Sequence, residues 1–148
     1  MTHTYDYPRP AVTVDVALFV VENSTPQLLL IKRKKPPFQG LWALPGGFVD
    51  QDEELEDAAR RELLEETSIE ARELTQLGAY GKPDRDPRGH TISVVFVGET
   101  NAQAAHKMLH AADDASEAKF FEVDQLPKFA FDHEQIVADA MRYFGQKK

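Results

Sequence analysis

The sequence predicts an α/β fold of the mixed, α+β kind, in which a mixed β-sheet is sandwiched between helices. Two observations predict it: strand-like segments recur along the chain, and two segments with helical periodicity are interspersed among them. The 148 residues, of which 42% are hydrophobic, can enclose one good core, and no repeat or long linker divides them. We therefore expect a single domain over residues 1–148.

The first part of the chain has the pattern of a β-hairpin. Residues 11–21 alternate between valine and polar residues and then become continuously apolar, and residues 27–32 form a second apolar run beyond a polar turn. The apolar segment at residues 41–49 contains Pro-Gly-Gly at positions 45–47. Its backbone must therefore kink at these positions.

The remaining elements are an acidic helix, further strands and a final helix. The acidic helix is predicted from residue 52 to about residue 67, with Asp50 or Asp52 as its N-terminal cap. The final helix opens at Asp132, and Gln135 is placed to complete a capping box. Strands are predicted at residues 74–80, 90–98 and 119–123, whereas the polar stretch at residues 99–114 has no clear pattern.

Composition and charge exclude several classes of function. The formal net charge of −8 argues against attraction to nucleic acid or to an anionic membrane, because both are polyanions. The absence of cysteine excludes disulfides and thiolate metal sites. The N-terminal residues do not read as a secretory signal, and no apolar run approaches membrane-spanning length. We expect a cytoplasmic protein that binds a small soluble molecule.

The acidic helix carries the strongest functional signal. At 100° per residue, one stripe of its surface holds Leu55, Ala59, Glu62 and Glu66, and Glu65 borders this stripe. An apolar stripe therefore becomes acidic partway along the helix. Carboxylates that face the protein body lose hydration and repel one another unless a cation lies between them. Oxygen ligands of this kind are what Mg²⁺ and Mn²⁺ prefer.

A solvated helix face is the alternative interpretation of these acids. Two observations weigh against it. Glu56, Asp57 and Arg60 already supply a solvated face, and a Gly-Gly turn immediately precedes the helix. Glycine lets backbone amides and carbonyls approach a metal ion or a phosphate closely. The pattern therefore favours a site for metal and phosphate.

Residues 47–69, GFVDQDEELEDAARRELLEETSI, resemble the Nudix box. The family's pattern is Gly, five residues, Glu, seven residues, Arg-Glu-aliphatic, one residue, Glu-Glu, one residue, Gly-aliphatic. This chain supplies in register Gly47, Glu53, Arg61, Glu62, Leu63, Glu65, Glu66 and Ile69. It departs from the pattern at Ser68, where the family has a glycine that we interpret as a left-handed helix C-cap. Serine would pay roughly 1 kcal/mol to adopt that conformation, without loss of a ligand.

The resemblance implies a Nudix fold, with the box forming a loop, helix and loop against the sheet. It also implies hydrolysis of a pyrophosphate bond with Mg²⁺ (or Mn²⁺) as the cofactor. By position in the box, Glu62 and Glu66 should be the main metal ligands, and Glu65 should bind a metal directly or through water. The carbonyl of Gly46 should add a further oxygen ligand.

Other catalytic roles also follow from the resemblance. Arg61 should orient the carboxylates, and Glu53 should hold the loop through Arg61 without touching a metal. Relatives often draw the general base from a loop outside the box. In this chain the candidates are Asp113, Asp114 and Glu117, of which we favour Glu117. The alternative is a polar turn that leads into the last strand.

Substrate choice is expected to depend on arginines. The loop KPDRDPRGH resembles the corresponding segment of ADP-ribose pyrophosphatases and of related Nudix regulators, and the segments YPRPAVTVDVALF and AFDHEQIV extend the match. Arg85 and Arg88 offer planar donors suited to phosphate or ribose hydroxyls, and Arg33 could make a similar contact. Salt bridges from Arg85 and Arg88 to Asp84 and Asp86 are the alternative.

Some aromatic and histidine side chains are ambiguous in the sequence. Phe38, Trp42 and Tyr80 are candidates for stacking on adenine, although most such rings belong to the core. Phe131 is interpreted as packing near the final helix. We interpret His90 as a hydrogen-bonded strand residue and not as a catalyst.

The leading functional hypothesis is hydrolysis of ADP-ribose to AMP and ribose 5-phosphate. The alternatives are a Nudix hydrolase of another nucleotide, such as an oxidised nucleoside triphosphate or a nucleotide sugar, and a sensor that binds ADP-ribose without hydrolysing it. The related regulators carry an additional DNA-binding domain, for which 148 residues are too few, and the intact acids favour catalysis. A homodimer is expected by analogy only.

Overall fold

Seven strands and three helices make up the part of the chain that the computed structural model describes, residues 2–109 and 115–146. In chain order they are β1 (Ala11–Glu22), β2 (Thr25–Arg33), β3 (Trp42–Ala43), β4 (Gly46–Phe48), α1 (Leu55–Thr67), β5 (Thr75–Tyr80), β6 (Thr91–Glu99), α2 (Ala102–Met108), β7 (Ala115–Glu122) and α3 (His133–Gln146). Within these described residues, no helix is long and apolar enough to cross a membrane.

The strands form one mixed sheet with β1 near its centre. β6 lies parallel to β1 along most of its length, and β5 is antiparallel to β6. On the other edge, β1 pairs with β2 only in its last part, through the register Phe19↔Leu28 to Glu22↔Thr25. The first part of β1 pairs instead with β4, which brings Gly46 opposite Asp15. The sheet thus places the Pro-Gly-Gly kink beside a buried acid.

The sheet is a layer between helices because β1 is apolar on both faces. Val14, Val16, Leu18 and Val20 belong to the cluster that includes residues of α1 and α2. Ala17 and Phe19 belong to the cluster that includes residues of α3. The ring of Phe19 stacks on that of Phe144, with centroids 4.4 Å apart. The predicted fold class is therefore confirmed.

The elements predicted from alternation are found close to their expected positions. The hairpin is formed by β1 and β2, and the strands expected at residues 74–80 and 90–98 are β5 and β6. The last strand begins earlier than residue 119, since β7 starts at Ala115. Part of the unassigned stretch forms α2, in which the Asn101 side chain accepts a hydrogen bond from the Ala104 amide at 2.9 Å.

The predicted start of α1 is wrong, and at α3, which begins directly after Asp132 as predicted, only the capping box is wrong. α1 begins at Leu55, and its N-cap, Glu54, makes no side-chain capping hydrogen bond. Asp52 lies before the helix in a turn, with φ of 62°. At α3, the carboxylate of Asp132 is bound by Arg85, so the expected capping box does not form. In each case a tertiary or turn interaction replaces the local cap.

Candidate active site

A pocket of about 710 Å³ lies where α1, β4, the loop before β6 and the start of α3 meet. This volume is within the usual range of small-molecule sites. Acidic and basic side chains line the same cavity. The acids are Asp15, Asp50, Glu62, Glu65, Glu66 and Asp86, and the bases are Arg33, Lys34, Lys35, Arg85, Arg88 and His133. Such a combination suits a ligand that carries negative charge and also binds cations.

The three predicted glutamates of α1 all line this pocket, but their environments differ. The Glu62 side chain is 14% exposed and that of Glu65 is 57% exposed. Burial raises the pKa of Glu62, and the neighbouring Arg61 opposes this effect. Glu66 accepts a hydrogen bond from the backbone amide of Gly46 at 2.7 Å. The acidic stripe therefore faces the cavity, as its helical spacing predicts.

Two glycines allow these carboxylates to lie against the backbone of β4. A Cβ atom added to Gly47 would come within 2.6 Å of the Glu62 carboxyl carbon. A Cβ atom at Gly46 would overlap the carbonyl oxygen of Val14 and the carboxylate of Asp15. The Gly-Gly sequence is thus needed because side-chain carboxylates occupy the space beside both residues.

Arg61 connects the turn before α1 to the glutamates on it. Its Nε and Nη2 donate to the two carboxylate oxygens of Glu53 at 2.7 and 2.9 Å, and Nη2 also donates to the Phe48 carbonyl at 3.1 Å. Its Nη1 donates to Glu62 at 2.8 Å and reaches Glu65 at 3.4 Å. The hydrogen bonds that Arg61 donates to Glu53 lower the pKa of Glu53 to about 2 and raise the pKa of Arg61. This is the arrangement predicted for Arg61 and Glu53.

The donor set on α1 and β4 fits a divalent cation by its chemistry. Glu62 and Glu65 share the Arg61 guanidinium, and Glu66 accepts from the Gly46 amide, so the three carboxylates are not each neutralised by a cation of their own on α1. Within residues 2–109 and 115–146, no three carboxylate or imidazole groups already converge on one point. Glu62 and Glu66 point to Arg61 and to the Gly46 amide, so a change of side-chain rotamer on a fixed helix would bring them together.

Asp15 is a buried acid at the pocket that the sequence analysis did not identify. The Ser93 hydroxyl donates to its carboxylate, and the Nε2 atom of His133 lies 3.8 Å from the same oxygen. Burial raises the pKa of Asp15 to about 7. The available signal was one acid within the otherwise apolar part of β1, but Ser93 is 78 residues away in sequence.

His133 is a second pocket residue without a sequence-based assignment. Its Nδ1 atom accepts a hydrogen bond from the backbone amide of Leu44 at 3.0 Å. Burial lowers the pKa of His133 to about 4, so the ring is neutral near pH 7. Because Nδ1 is an acceptor, the proton is on Nε2, which faces Asp15.

The three arginines predicted to bind substrate are all at the pocket, but they are held differently. Arg85 binds Asp132 through Nε and Nη2 at 2.9 and 2.6 Å, and its side chain is only 4% exposed. The suggested partner Asp84 is therefore wrong. Arg88 binds Asp86 at 3.1 and 2.8 Å, as the salt-bridge alternative predicts. This pairing leaves Arg88 among the residues that line the cavity.

The Phe131 ring lies at the pocket with cationic groups around it, so packing alone does not describe it. The guanidinium carbons of Arg33 and Arg88 lie 5.0 and 5.5 Å from its centroid. Phe38 contacts the same ring edge-on, at 4.9 Å between centroids. Arg33 also donates from Nε to the Pro37 carbonyl at 2.7 Å, and burial lowers its pKa. Two arginines are thus placed at one aromatic side chain.

The other aromatic candidates are structural. Trp42 packs edge-on against Phe121 at 4.7 Å, and the Tyr80 hydroxyl donates to Asp139 at 2.5 Å. Neither residue lines the pocket. His90 makes a hydrogen bond with the Gly81 carbonyl at 2.9 Å, as predicted, although it precedes β6 and lies outside the strand.

The preferred general base, Glu117, is not brought to the pocket. It is exposed on β7, where it lies opposite Lys32 on β2, and it is not among the residues that line the cavity. The other two candidates, Asp113 and Asp114, lie outside the described residues. A catalytic role for Glu117 therefore stays a prediction without support from this geometry.

Comparisons with known proteins confirm the resemblance to the Nudix family. Residues 11–140 match the family model of the NUDIX domain. The chain is 49% identical over 137 residues to the ADP-ribose pyrophosphatase of Methanocaldococcus jannaschii, covering 93% of this chain and 76% of the relative. It is 37% identical over 146 residues to the ADPR responsive transcriptional repressor NtrR of Acinetobacter baylyi, covering 96% of this chain and 57% of the repressor.

A solved structure of a NUDIX domain is similar to this chain in its fold. The NUDIX domain of Shewanella oneidensis NrtR, complexed with ADP ribose, superposes with a TM-score of 0.86 at 31% identity. The match covers 95% of this chain and 94% of that one. The pocket described above therefore lies in a fold shared with a protein that was crystallised with ADP ribose.

Proposed function

The chain belongs to the Nudix hydrolase family, and from this premise we propose that it hydrolyses ADP-ribose to AMP and ribose 5-phosphate. One observation carries the proposal: the three box glutamates of α1 and three arginines line a single pocket of about 710 Å³. The similarity to an archaeal ADP-ribose pyrophosphatase, at 49% identity, supports the choice of substrate.

The box residues would hold the metal cofactor, for which we propose Mg²⁺ or Mn²⁺. Glu62, Glu65, Glu66 and the carbonyl of Gly46 are the proposed ligands. A divalent cation bound there would supply charge to the phosphate oxygens and lower the pKa of the attacking water. Arg61 orients Glu62 and is itself fixed by both oxygens of Glu53. Arg61 therefore fixes the Glu62 side chain, whereas binding of one ion by both Glu62 and Glu66 requires a change of side-chain rotamer.

The arginines would bind the other charges of the substrate. A diphosphate brings negative oxygens beside the acids of α1, and cationic donors are needed to offset the repulsion. Arg33 and Arg88 lie at one aromatic ring, and Arg85 is fixed by a two-point contact with Asp132. Planar guanidinium groups can contact two phosphate oxygens at once. They would orient the diphosphate before the reaction.

A sensor of ADP-ribose is the second candidate, because the chain is also 37% identical to an ADPR responsive repressor. Catalysis is favoured over sensing because every acid of the box pattern is present and the three on α1 line the pocket. A homodimer and a cytoplasmic location remain predictions from the sequence.

A substrate panel separates these functions. The protein would be incubated with ADP-ribose, with an oxidised nucleoside triphosphate and with a nucleotide sugar in the presence of Mg²⁺, and products would be separated by chromatography. We expect AMP and ribose 5-phosphate from ADP-ribose, with kcat/KM at least about tenfold above the other substrates. Faster release of pyrophosphate from the triphosphate would contradict the proposal. Tight binding of ADP-ribose without any product would identify a sensor.

A further inference from the structure

Three consecutive residues at the start of α3 each contact a different part of the pocket. Phe131 contacts the guanidinium groups of Arg33 and Arg88. Asp132 binds Arg85 at two points, and His133 accepts a hydrogen bond from the amide of Leu44. We call residues 131–133 the anchor segment. Through it, α3 touches all three arginines and the strand region that leads into the Gly-Gly turn.

The contacts of Phe131 bring two like charges together. The guanidinium carbons of Arg33 and Arg88 lie 5.0 and 5.5 Å from the ring centroid, within the range of cation–π attraction. Burial lowers the pKa of Arg33, and the nearby charge of Arg88 adds to this effect. Arg88 also lies 5.4 Å from the Phe48 ring centroid and is hydrogen-bonded to Asp86. The two cationic groups at the Phe131 ring, one of them paired with a carboxylate, are therefore available to a multiply charged anion.

The backbone at Phe131 is in an unusual conformation, which indicates that the ring is placed by its surroundings. Its φ is 52°, in the left-handed region that a bulky side chain rarely adopts. The chain is fixed on both sides: the Ala130 amide donates to the Trp42 carbonyl at 2.8 Å, and the Asp132 carbonyl accepts from the Gln135 amide at 3.0 Å. The neighbouring hydrogen bonds thus hold the ring at the pocket.

Asp132 and His133 contact two further parts of the pocket, Arg85 and the backbone of Leu44. The Arg85 side chain is nearly fully buried, and its contact with Asp132 joins the loop before β6 to α3. The His133 ring is also buried and joins α3 to Leu44, two residues before Gly46. The anchor segment therefore contacts the arginine side chains of β2 and of the loop before β6, and also the backbone amide of Leu44 before β4.

We propose that the anchor segment sets the spacing of the three pocket arginines for a diphosphate, with the Phe131 ring as the positioning residue for Arg33 and Arg88. The inference rests on the proposed function, because it assigns the arginine side of that site to the diphosphate. It predicts that loss of the ring weakens binding of the anion and leaves the proposed metal ligands of α1 unaffected.

The test compares Phe131→Leu, which removes the ring, with Phe131→Tyr, which keeps it. Binding of inorganic pyrophosphate would be measured by isothermal titration in EDTA, and KM and kcat for ADP-ribose would be measured with Mg²⁺. Loss of two cation–π contacts should weaken pyrophosphate binding and raise KM by about five- to thirtyfold in Phe131→Leu, with kcat changed by less than about threefold. Phe131→Tyr should restore both values to within about twofold.

The matched control is Phe38→Leu, because Phe38 contacts the same ring but, contrary to the expectation that it stacks on adenine, is not among the residues that line the pocket, and no arginine contact is found for it in the described residues. It should leave pyrophosphate binding and KM within about twofold of the unchanged protein. Melting temperatures would show that all variants are folded. Equal losses in Phe38→Leu and Phe131→Leu, an unchanged Kd in Phe131→Leu, or no rescue by tyrosine would overturn the inference.

The design separates failure of the inference from failure of the proposed function. If the unchanged protein hydrolyses ADP-ribose and Phe131→Leu binds pyrophosphate equally well, the inference fails and the function stands. If ADP-ribose is not hydrolysed but Phe131→Leu weakens pyrophosphate binding, the positioning role stands and the function fails. No pyrophosphate binding by the unchanged protein overturns the inference.

Discussion

The three pocket glutamates of α1 have different environments, although the helical spacing in the sequence does not distinguish them. Glu62 is mostly buried beside Arg61, Glu65 is exposed, and Glu66 is bound to the Gly46 amide. Burial raises the pKa of Glu62 when no cation is present. A bound divalent cation would offset this cost, so the proposed metal and the fold stabilise each other.

Replacement of Glu66 by glutamine tests the metal ligands at constant side-chain size. Because the glutamine oxygen can still accept the Gly46 hydrogen bond, we expect the melting temperature to change little. Loss of the charge should lower kcat/KM for ADP-ribose by about a hundredfold or more. The matched control is Asp57→Asn on the same helix, which should retain activity within about twofold because Asp57 is exposed and outside the pocket. Equal activity in both variants would exclude Glu66 as a ligand.

His133 predicts a pH dependence of stability. Its pKa is about 4 in the folded protein, against 6.5 for an ordinary histidine, because the ring is buried. Below pH 6.5 the unfolded chain binds a proton at this residue that the folded protein does not, so the contribution of His133 to stability is fully present above pH 6.5 and falls as the pH approaches 4. The loss of this contribution should approach about 3 kcal/mol. Asp15, whose pKa burial raises to about 7, contributes in the opposite direction over the same range, so the effect of His133 is the difference between the unchanged protein and a His133 variant.

Urea denaturation of the metal-free protein at pH 7 and pH 4.5 would measure this effect. His133→Gln, whose side-chain oxygen can accept the Leu44 hydrogen bond, should lose less stability over this interval than the unchanged protein. The control is His90→Gln at an exposed position. An identical pH dependence in His133→Gln and in the unchanged protein would show that His133 is not the titrating group.

Residues whose roles depend on near neighbours in sequence could be predicted, and those that depend on distant ones could not. The Arg61–Glu53 contact spans eight residues, and the resemblance to the Nudix box implied it. The hydrogen bond between His133 and Leu44 spans 89 residues, and that between Asp15 and Ser93 spans 78. The sequence predicts only packing for Phe131, because its position at the pocket depends on Arg33 and Arg88, which are distant from it in sequence.

At the level of elements, β4 and α1 work as one unit. The two glycines of β4 let the α1 carboxylates approach the backbone, and α1 ends with Ser68 in the left-handed conformation expected for the family's glycine. The Ser68 amide donates to the Leu64 carbonyl at 2.9 Å. The substitution at this position is therefore accommodated without a change of helix geometry.

Gly47→Ala tests this close approach between strand and helix. The added methyl group would come within 2.6 Å of the Glu62 carboxyl carbon, so the Glu62 side chain must move. We expect activity to fall by about tenfold or more, with a loss of stability of no more than about 1 kcal/mol because the displaced group is the end of a flexible side chain. The control is Gly78→Ala on β5, where an added Cβ has no neighbour within 4 Å. Full activity in Gly47→Ala would mean that the position of Glu62 is not critical.

The limits of element prediction have a common physical cause. Strands and the hairpin could be predicted because apolar alternation reports burial directly. The capping interactions could not, because the predicted caps are placed or used differently: Asp52 lies in a turn before α1, and the Asp132 side chain binds Arg85. Local capping rules fail where a functional contact takes the same atoms.

At the scale of the whole molecule, the pocket exists because the sheet brings together parts that are distant in sequence. α1 supplies the acids, β2 and the loop before β6 supply arginines, and the start of α3 supports them. The glutamates of the pocket belong to one continuous motif, and their position at the cavity was predictable from the sequence. The arginines come from separate segments, so the sequence could suggest them and the near partner Asp86 of Arg88, but not the distant partner Asp132 of Arg85.

The central claim is that divalent cations held by the α1 glutamates are required to cleave the diphosphate of ADP-ribose. The most direct measurement is the rate of product release from ADP-ribose by chelator-treated protein as Mg²⁺ is added, with AMP and ribose 5-phosphate quantified separately. We predict no product before addition and equal amounts of both products afterwards, rising to saturation with Mg²⁺. An unchanged rate in excess chelator, or no product at any Mg²⁺ or Mn²⁺ concentration, would contradict the account.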